Sequence, residues 1–273
     1  MNTSSSPSLN IAPGFLNRVI EDLKAGRVAC AGESFTFFDC EHEPYLLDVL
    51  AQKIDASAKI LGEDGRPARA PFVRIPAEGD QDFRWIVKQV LERGAMGVIA
   101  PYIENAEQAL KFVECMRYPL QNGDGRSGPQ GRRSWGGMPS TWGATAPEYL
   151  RRADVWPLNP AGELLALPMI ESASSVERID EILDVPGISF ALIGVNDLSL
   201  SYGEGLWPAG LPMSKKPEVM LSAIQKIAAA CDVRGKYCAM PSWSDEETQY
   251  YLDLGVRIIC PFHRPGASAS KPY

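Results

Sequence analysis

RVACAGESFTFFDCEHEP, residues 27–44, holds two short apolar runs almost back to back, and the reading of that junction decides the fold. The second run places Phe35, Phe37 and Phe38 within four residues and then stops at Asp39, Cys40, Glu41 and His42. An apolar run bounded in this way reads as a buried parallel strand that ends where a polar cluster begins. The first run, 27–32, has strand character too, yet only about three residues separate it from Phe35. A parallel crossover takes roughly a dozen residues. Residues 27–32 are therefore not expected to pair with 35–39 as an ordinary neighbouring strand, and any barrel built on them should be open, distorted or completed by another segment.

Working outward, apolar runs recur at 71–76, 96–101, 164–171, 189–194, 236–241 and 256–262, which with 35–39 makes seven expected strands. Amphipathic helices lie between them. Phe83, Ile86, Val87, Val90 and Leu91 share one helical face, and Met220, Ala223, Ile224, Ile227 and Ala228 share another. Ahead of the first strand, Phe15, Leu16, Val19, Ile20 and Leu23 form a further apolar stripe with Gly26 as a natural C-cap. Alternating strands and helices imply a parallel sheet covered by helices. No GxGxxG follows the first strand, and seven or eight strands in this length favour a TIM (β/α)8-type barrel over a doubly wound sheet. Its first unit is curtailed, and after Phe262 no closing helix is expected. The expected organisation is an N-terminal arm over 1–13, a barrel domain over 14–262 and a polar tail over 263–273.

Composition narrows the function. With 27 basic and 34 acidic residues the chain has a net charge of −7 and no basic face for nucleic acid. No apolar run approaches the ~20 residues of a membrane span. Six cysteines without a CxxC, mostly in apolar segments, and a first dozen residues unlike a signal peptide point to a cytoplasmic location. The connection from about 117 to 163, with its Gly- and Arg-rich "GDGRSGPQGRRSWGG", reads as a lid or interface segment. Within it, Arg126, Arg132 and Arg133 fit either an anionic substrate group or subunit salt bridges.

TIM barrels carry their chemistry at the C-terminal ends of strands. Asp39, Glu41 and His42 follow one strand, Arg74 closes the next, Glu171 ends "LLALPMIE", and Asp197 follows "FALIG". Two carboxylates, Glu171 and Asp197, suit a hard divalent cation that keeps positions for water and a bidentate 2-oxo acid. Arg74 could hold the substrate carboxylate, and His42 could move a proton near neutral pH. Each residue alone also fits an ordinary helix cap or surface charge. Their joint placement carries the reading.

The motifs "FFDCEHEP", "FVRIPAEGD", "VLERGAMGVIAPYIENAEQA", "PQGRRSWG", "MIESASSVERIDEILDVPGI" and "LIGVNDLSLSYG" resemble, in that order, the class II pyruvate aldolases, the family of 2,4-dihydroxyhept-2-ene-1,7-dioate aldolase, 2-dehydro-3-deoxyglucarate aldolase and macrophomate synthase. The resemblance implies a metal-dependent TIM barrel that cleaves or forms a C–C bond through a pyruvate enolate, with a 2-oxo acid and an aldehyde as small-molecule partners. It implies Glu171 and Asp197 as ligands of Mg2+ or Mn2+, with Co2+ a further candidate. It implies Arg74 on the pyruvate carboxylate, substrate contacts at Asn196 and Asp197, His42 as acid/base and Asp39 in support. In a homo-oligomer, Glu92 stands where the family places an aspartate that reaches the histidine of a neighbouring subunit. An oxaloacetate-decarboxylating or other enolate-condensing relative, and a non-catalytic paralogue, are the alternatives. Met169 departs from the family pattern, which commonly has a pyruvate-contacting glutamine there. The segment between the first strand and the EH pair is shortened, and the family's C-terminal helix has no counterpart after Phe262.

Overall fold

The computed structural model describes residues 15–121 and 125–266. The arm over 1–13 and the last seven residues of the expected tail lie outside the described residues. The elements, in chain order, are α1 (Arg18–Lys24), β1 (Ala29–Cys30), β2 (Phe35–Asp39), α2 (Leu47–Ala58), β3 (Ala70–Arg74), α3 (Arg84–Glu92), β4 (Gly97–Ala100), α4 (Ala106–Met116), α5 (Ala146–Arg152), β5 (Leu165–Ile170), α6 (Ala173–Glu177), α7 (Ile179–Leu183), β6 (Phe190–Ile193), α8 (Val195–Ser201), α9 (Glu218–Asp232), β7 (Tyr237–Ser242), α10 (Asp245–Asp253) and β8 (Ile258–Pro261).

The strands form one eight-stranded sheet in the order β1-β8-β7-β6-β5-β4-β3-β2, with every ladder parallel. This is a nearly closed TIM-type barrel. Its seam lies at the junction that opened the sequence reading. β1 pairs with β8 and β2 with β3, but only the isolated parallel bridge Ala31–Phe35 joins the two ends. Residues 27–32 thus supply an eighth strand two residues long. The Ser34 amide turns back to the Cys30 carbonyl at 2.8 Å, so a tight turn stands where a helix would normally cross.

The helices cover the sheet with the faces read from the sequence. Ile86, Val87, Val90 and Leu91 of α3 and Met220, Ala223, Ile224 and Ile227 of α9 are buried. α1 ends as expected, with Gly26 at φ 70° beyond its C-cap. At its other end, Asn17 caps the helix and ties it to the barrel floor. The Leu16 and Asn17 amides donate to the buried Glu163 carboxylate at 3.1 and 2.9 Å, and the Asn17 side-chain amide donates to the Glu163 carbonyl at 2.9 Å.

The long connection is more ordered than its composition suggests, since it contains α5. It is organised around the buried Asp154, which accepts from Arg117 Nε at 2.6 Å and Nη2 at 3.0 Å and pairs with Arg126 at 3.4 Å. At the far end of the chain, 262–266 form a turn rather than a helix, and His263 and Arg264 both contact Asp245. Among the described residues, no helix is long and apolar enough to cross a membrane.

Candidate active site

β2 and β3 pair in a register that sets Asp39 beside Arg74. Their side chains form a two-point contact, Arg74 Nε to Asp39 Oδ1 at 2.9 Å and Nη2 to Oδ2 at 2.6 Å. The chain then turns over this pair, with the Glu41 amide donating to Asp39 Oδ1 at 3.0 Å and Glu41 Oε2 lying 2.8 Å from Arg74 Nη1. Burial works to raise the Asp39 carboxyl, but the bonds and charge of Arg74 outweigh it and hold the group below the ordinary range. His42 follows, its side chain 46% exposed and its Nε2 3.4 Å from Glu41 Oε2.

Glu171 comes directly after β5 and is only 1% exposed. Two local features fix its carboxylate. The Tyr102 amide, just past β4, donates to Oε1 at 2.7 Å, and Tyr102 is held at φ 48°, a left-handed conformation unusual for a residue with a side chain. On the other side Gly194 approaches so closely that an added Cβ would stand 2.3 Å from Oε2. Asp197 lies in the first turn of α8, following β6. Its charge reaches Glu41, Glu171 and the Tyr102 hydroxyl.

Burial pushes the Glu171 carboxyl up to about 8 against the pull of the Tyr102 amide, and the charges of Glu41 and Asp197 add to the rise. Glu41 is raised as well, chiefly by burial, while Arg74 and His42 pull the other way. Four carboxylates thus converge on the surroundings of one arginine. A hard cation between Glu171 and Asp197 would offset that crowding. Among the described residues no group of three or more His, Cys, Asp or Glu forms a ready-made cage. The two carboxylates would therefore leave the other positions of a Mg2+- or Mn2+-type centre to water and substrate, and this oxygen donor set fits such an ion.

A cavity of about 540 Å3 lies at the C-terminal end of the barrel, with Asp39, His42, Arg74, Asn196 and Asp197 in its wall; Glu171 is not a lining residue but packs against Gly194, which is. Met169 lines it too, where the family pattern has glutamine. Asp39, His42, Arg74, Asn196 and Asp197 thus share one cavity wall, with Glu171 packed beside it at Gly194. Glu92, the last residue of α3, is not part of this wall. It packs against Gly136, and its Oε1 is buried with no hydrogen-bond partner among the described residues. The three arginines of the long connection also lie elsewhere, since Arg126 pairs with Asp154, Arg132 pairs with Glu114 at 3.0 Å, and Arg133 packs on the Tyr118 ring at 4.5 Å. The sequence reading missed Tyr102 and Gly194 as supports of Glu171. Their only signal was position, each just past an apolar run.

Comparison with known proteins agrees with this geometry. The sequence pattern of the family described as HpcH/HpaI aldolase/citrate lyase matches residues 24–255. A hydroxypyruvate/pyruvate aldolase of Delftia acidovorans is 31% identical over 235 residues, covering 85% of this chain and 74% of the relative. A 2-keto-3-deoxy-L-rhamnonate aldolase of Escherichia coli K12 is 28% identical over 221 residues, covering 80% and 71%. Among solved structures, macrophomate synthase superposes with a TM-score of 0.66 at 22% identity, over 90% of this chain and 83% of that one, which supports the fold alone. With the family pattern spanning most of the barrel and the strand-end acids and arginine gathered at one rim, this chain belongs to the HpcH/HpaI aldolase/citrate lyase family.

Proposed function

We propose that the chain is a divalent-metal-dependent aldolase that breaks and forms the C–C bond between the methyl carbon of pyruvate and the carbonyl carbon of an aldehyde. The observation that carries this reading is the Asp39–Arg74 pair and Asp197 in one cavity wall, with Glu171 packed against the lining residue Gly194. Relatives named hydroxypyruvate/pyruvate aldolase support the donor.

In the cleavage direction the substrate is a 4-hydroxy-2-oxo acid. Arg74, kept in one orientation by Asp39, receives the carboxylate, and its charge favours the enolate that develops as the C3–C4 electron pair moves toward the C2 carbonyl. His42 takes the proton from the C4 hydroxyl as the aldehyde forms, a proton from water at C3 of the enolate completes pyruvate, and in the condensation direction C3 gives up its proton and His42 returns one to the new C4 oxygen. Glu171 and Asp197 would hold the cation, which supplies Lewis-acid stabilisation of the enolate oxygen when bound. Asn196, exposed beside Asp197 on the cavity wall, is placed to contact the substrate.

Glu92 would serve the histidine of a second copy in a homo-oligomer. The exposed Trp85 on α3 and the exposed Trp135 beside Gly136, apolar surface near Glu92, support this.

Incubation of the purified chain with a 4-hydroxy-2-oxo acid, with pyruvate release followed by coupled reduction to lactate, tests the reading. Release that stops on chelation and returns with Mg2+ or Mn2+ is expected. Release indifferent to chelation, or none with metal present, would contradict it.

A further inference from the structure

The cavity is far larger than pyruvate, which has six heavy atoms, and its polar groups are confined to one end. Asp39, His42, Arg74, Asn196 and Asp197 account for the charged, imidazole and amide side chains of the wall, and beyond them the only other side-chain heteroatom hydrogens among the lining residues are those of the Cys260 thiol and the Trp243 indole. The remaining lining side chains are hydrocarbon or thioether.

That apolar part has a direction. The Arg74 guanidinium lies 5.6 Å from the Phe37 ring, Phe37 lies 6.3 Å from Phe262, and Phe262 lies 5.6 Å from Trp243. An aromatic strip therefore leads away from the proposed carboxylate clamp. Across the mouth, Leu200 and Leu206 line the cavity while remaining 50% and 69% exposed. Exposed leucines at the mouth of a ligand cavity mark a surface that an apolar ligand would cover.

We infer that the acceptor is an uncharged aldehyde with an aromatic or alkyl side chain, held between the Phe37–Phe262–Trp243 strip and the two leucines; the inference rests on the aldolase reading above. A polyhydroxylated aldehyde would surrender its hydration to a wall that offers almost no partners. An anionic semialdehyde fares no better. Arg74 is the only Lys or Arg among the lining residues, and it is assigned to the 2-oxo acid. Arg126, Arg132 and Arg133, which could have served an anion, are not in this wall.

The test compares kcat/KM for condensation of pyruvate with phenylacetaldehyde, hexanal, glycolaldehyde and succinic semialdehyde, using the full-length, metal-loaded enzyme, and follows pyruvate methyl-proton exchange in parallel without aldehyde. The two apolar aldehydes should be favoured on the order of 10- to 100-fold, the range by which hydrophobic pockets discriminate. Leu206→Asn, an exposed change that leaves the core untouched, should raise KM for the apolar pair and narrow the preference. Trp243→Ala should narrow it further. Equal or better use of glycolaldehyde or succinic semialdehyde with methyl exchange intact would overturn the acceptor assignment alone. Absence of methyl exchange would overturn the aldolase reading and this inference with it.

Discussion

The amide of Tyr102 donates a 2.7 Å hydrogen bond to Oε1 of Glu171 from a backbone held at φ 48°. A left-handed conformation of this kind costs of order 1–3 kcal/mol and persists where the surroundings over-determine it. Here the surroundings are the site itself. The backbone of Tyr102 fixes one proposed metal ligand, and the charge of the other, Asp197, reaches its hydroxyl. The left-handed residue just past β4 is thus tied to the position of Glu171 just past β5.

Gly194→Ala should disturb the metal centre without disturbing the barrel. The glycine has φ −85°, an ordinary value for alanine, so what matters is the crowding of the new Cβ against Glu171, 2.3 Å from Oε2 and 2.8 Å from Cβ, and against Met169 Cε at 3.0 Å. Metal affinity measured by calorimetry should fall at least about tenfold, the scale of lost ligand support, with the melting temperature changed by a few degrees at most. Unchanged affinity would mean that the position of Glu171 does not govern metal binding.

Arg74→Lys should fail as a conservative replacement. A lysine keeps the charge but cannot make the two-point contact with Asp39, and the clamp loses its fixed orientation. A drop in kcat/KM for aldol cleavage of about 10-fold or more is expected, since the bonds lost are charge-assisted. An enzyme with wild-type kcat/KM would make the arginine structural.

His42→Ala should remove most aldol cleavage, on the order of 10²–10⁴-fold, because general acid–base help is withdrawn. Metal binding and pyruvate affinity should survive, as the side chain is half exposed and Glu41 and Arg74 hold each other independently of it. Loss of metal binding in this variant would assign the histidine to the metal centre instead.

Glu163→Ala should be a stability variant, because it lies at the opposite end of the barrel. It would leave the Arg152 guanidinium, 7% exposed, with Glu148 at 3.1 Å as its remaining carboxylate, and leave the Leu16 and Asn17 amides without this acceptor. Removing one partner of a buried ion pair costs about 3–5 kcal/mol. Urea unfolding should show that loss, with cleavage activity retained in the folded fraction.

Much of this was legible in the chain because apolar runs ending in charge identify barrel strands and their rims together. β2 and the placement of Asp39, Arg74, Glu171 and Asp197 follow from that rule, as do the buried faces of α3 and α9. The two-residue β1 was recognisable only as a conflict, since so short a strand has no periodicity of its own. α5 was hidden among Pro, Gly and Arg, and its organiser Asp154 acts through Arg117, 37 residues away in sequence. The support given to Glu171 by Tyr102 was invisible because a positive φ at a tyrosine is imposed by tertiary structure, against the local preference of the residue. Glu41, named at the rim without a role, proved to link His42 to Arg74.

The central claim is that this rim stabilises a pyruvate enolate with a divalent metal, and exchange of the methyl protons of pyruvate in D2O, followed by NMR, tests it without any choice of aldehyde. With Mg2+ or Mn2+ the wild-type chain should exchange those protons well above the rate of buffer with metal alone, and chelation or Glu171→Gln should remove the excess. Exchange no faster than that background at saturating metal, or exchange that persists in Glu171→Gln and after chelation, would contradict the account.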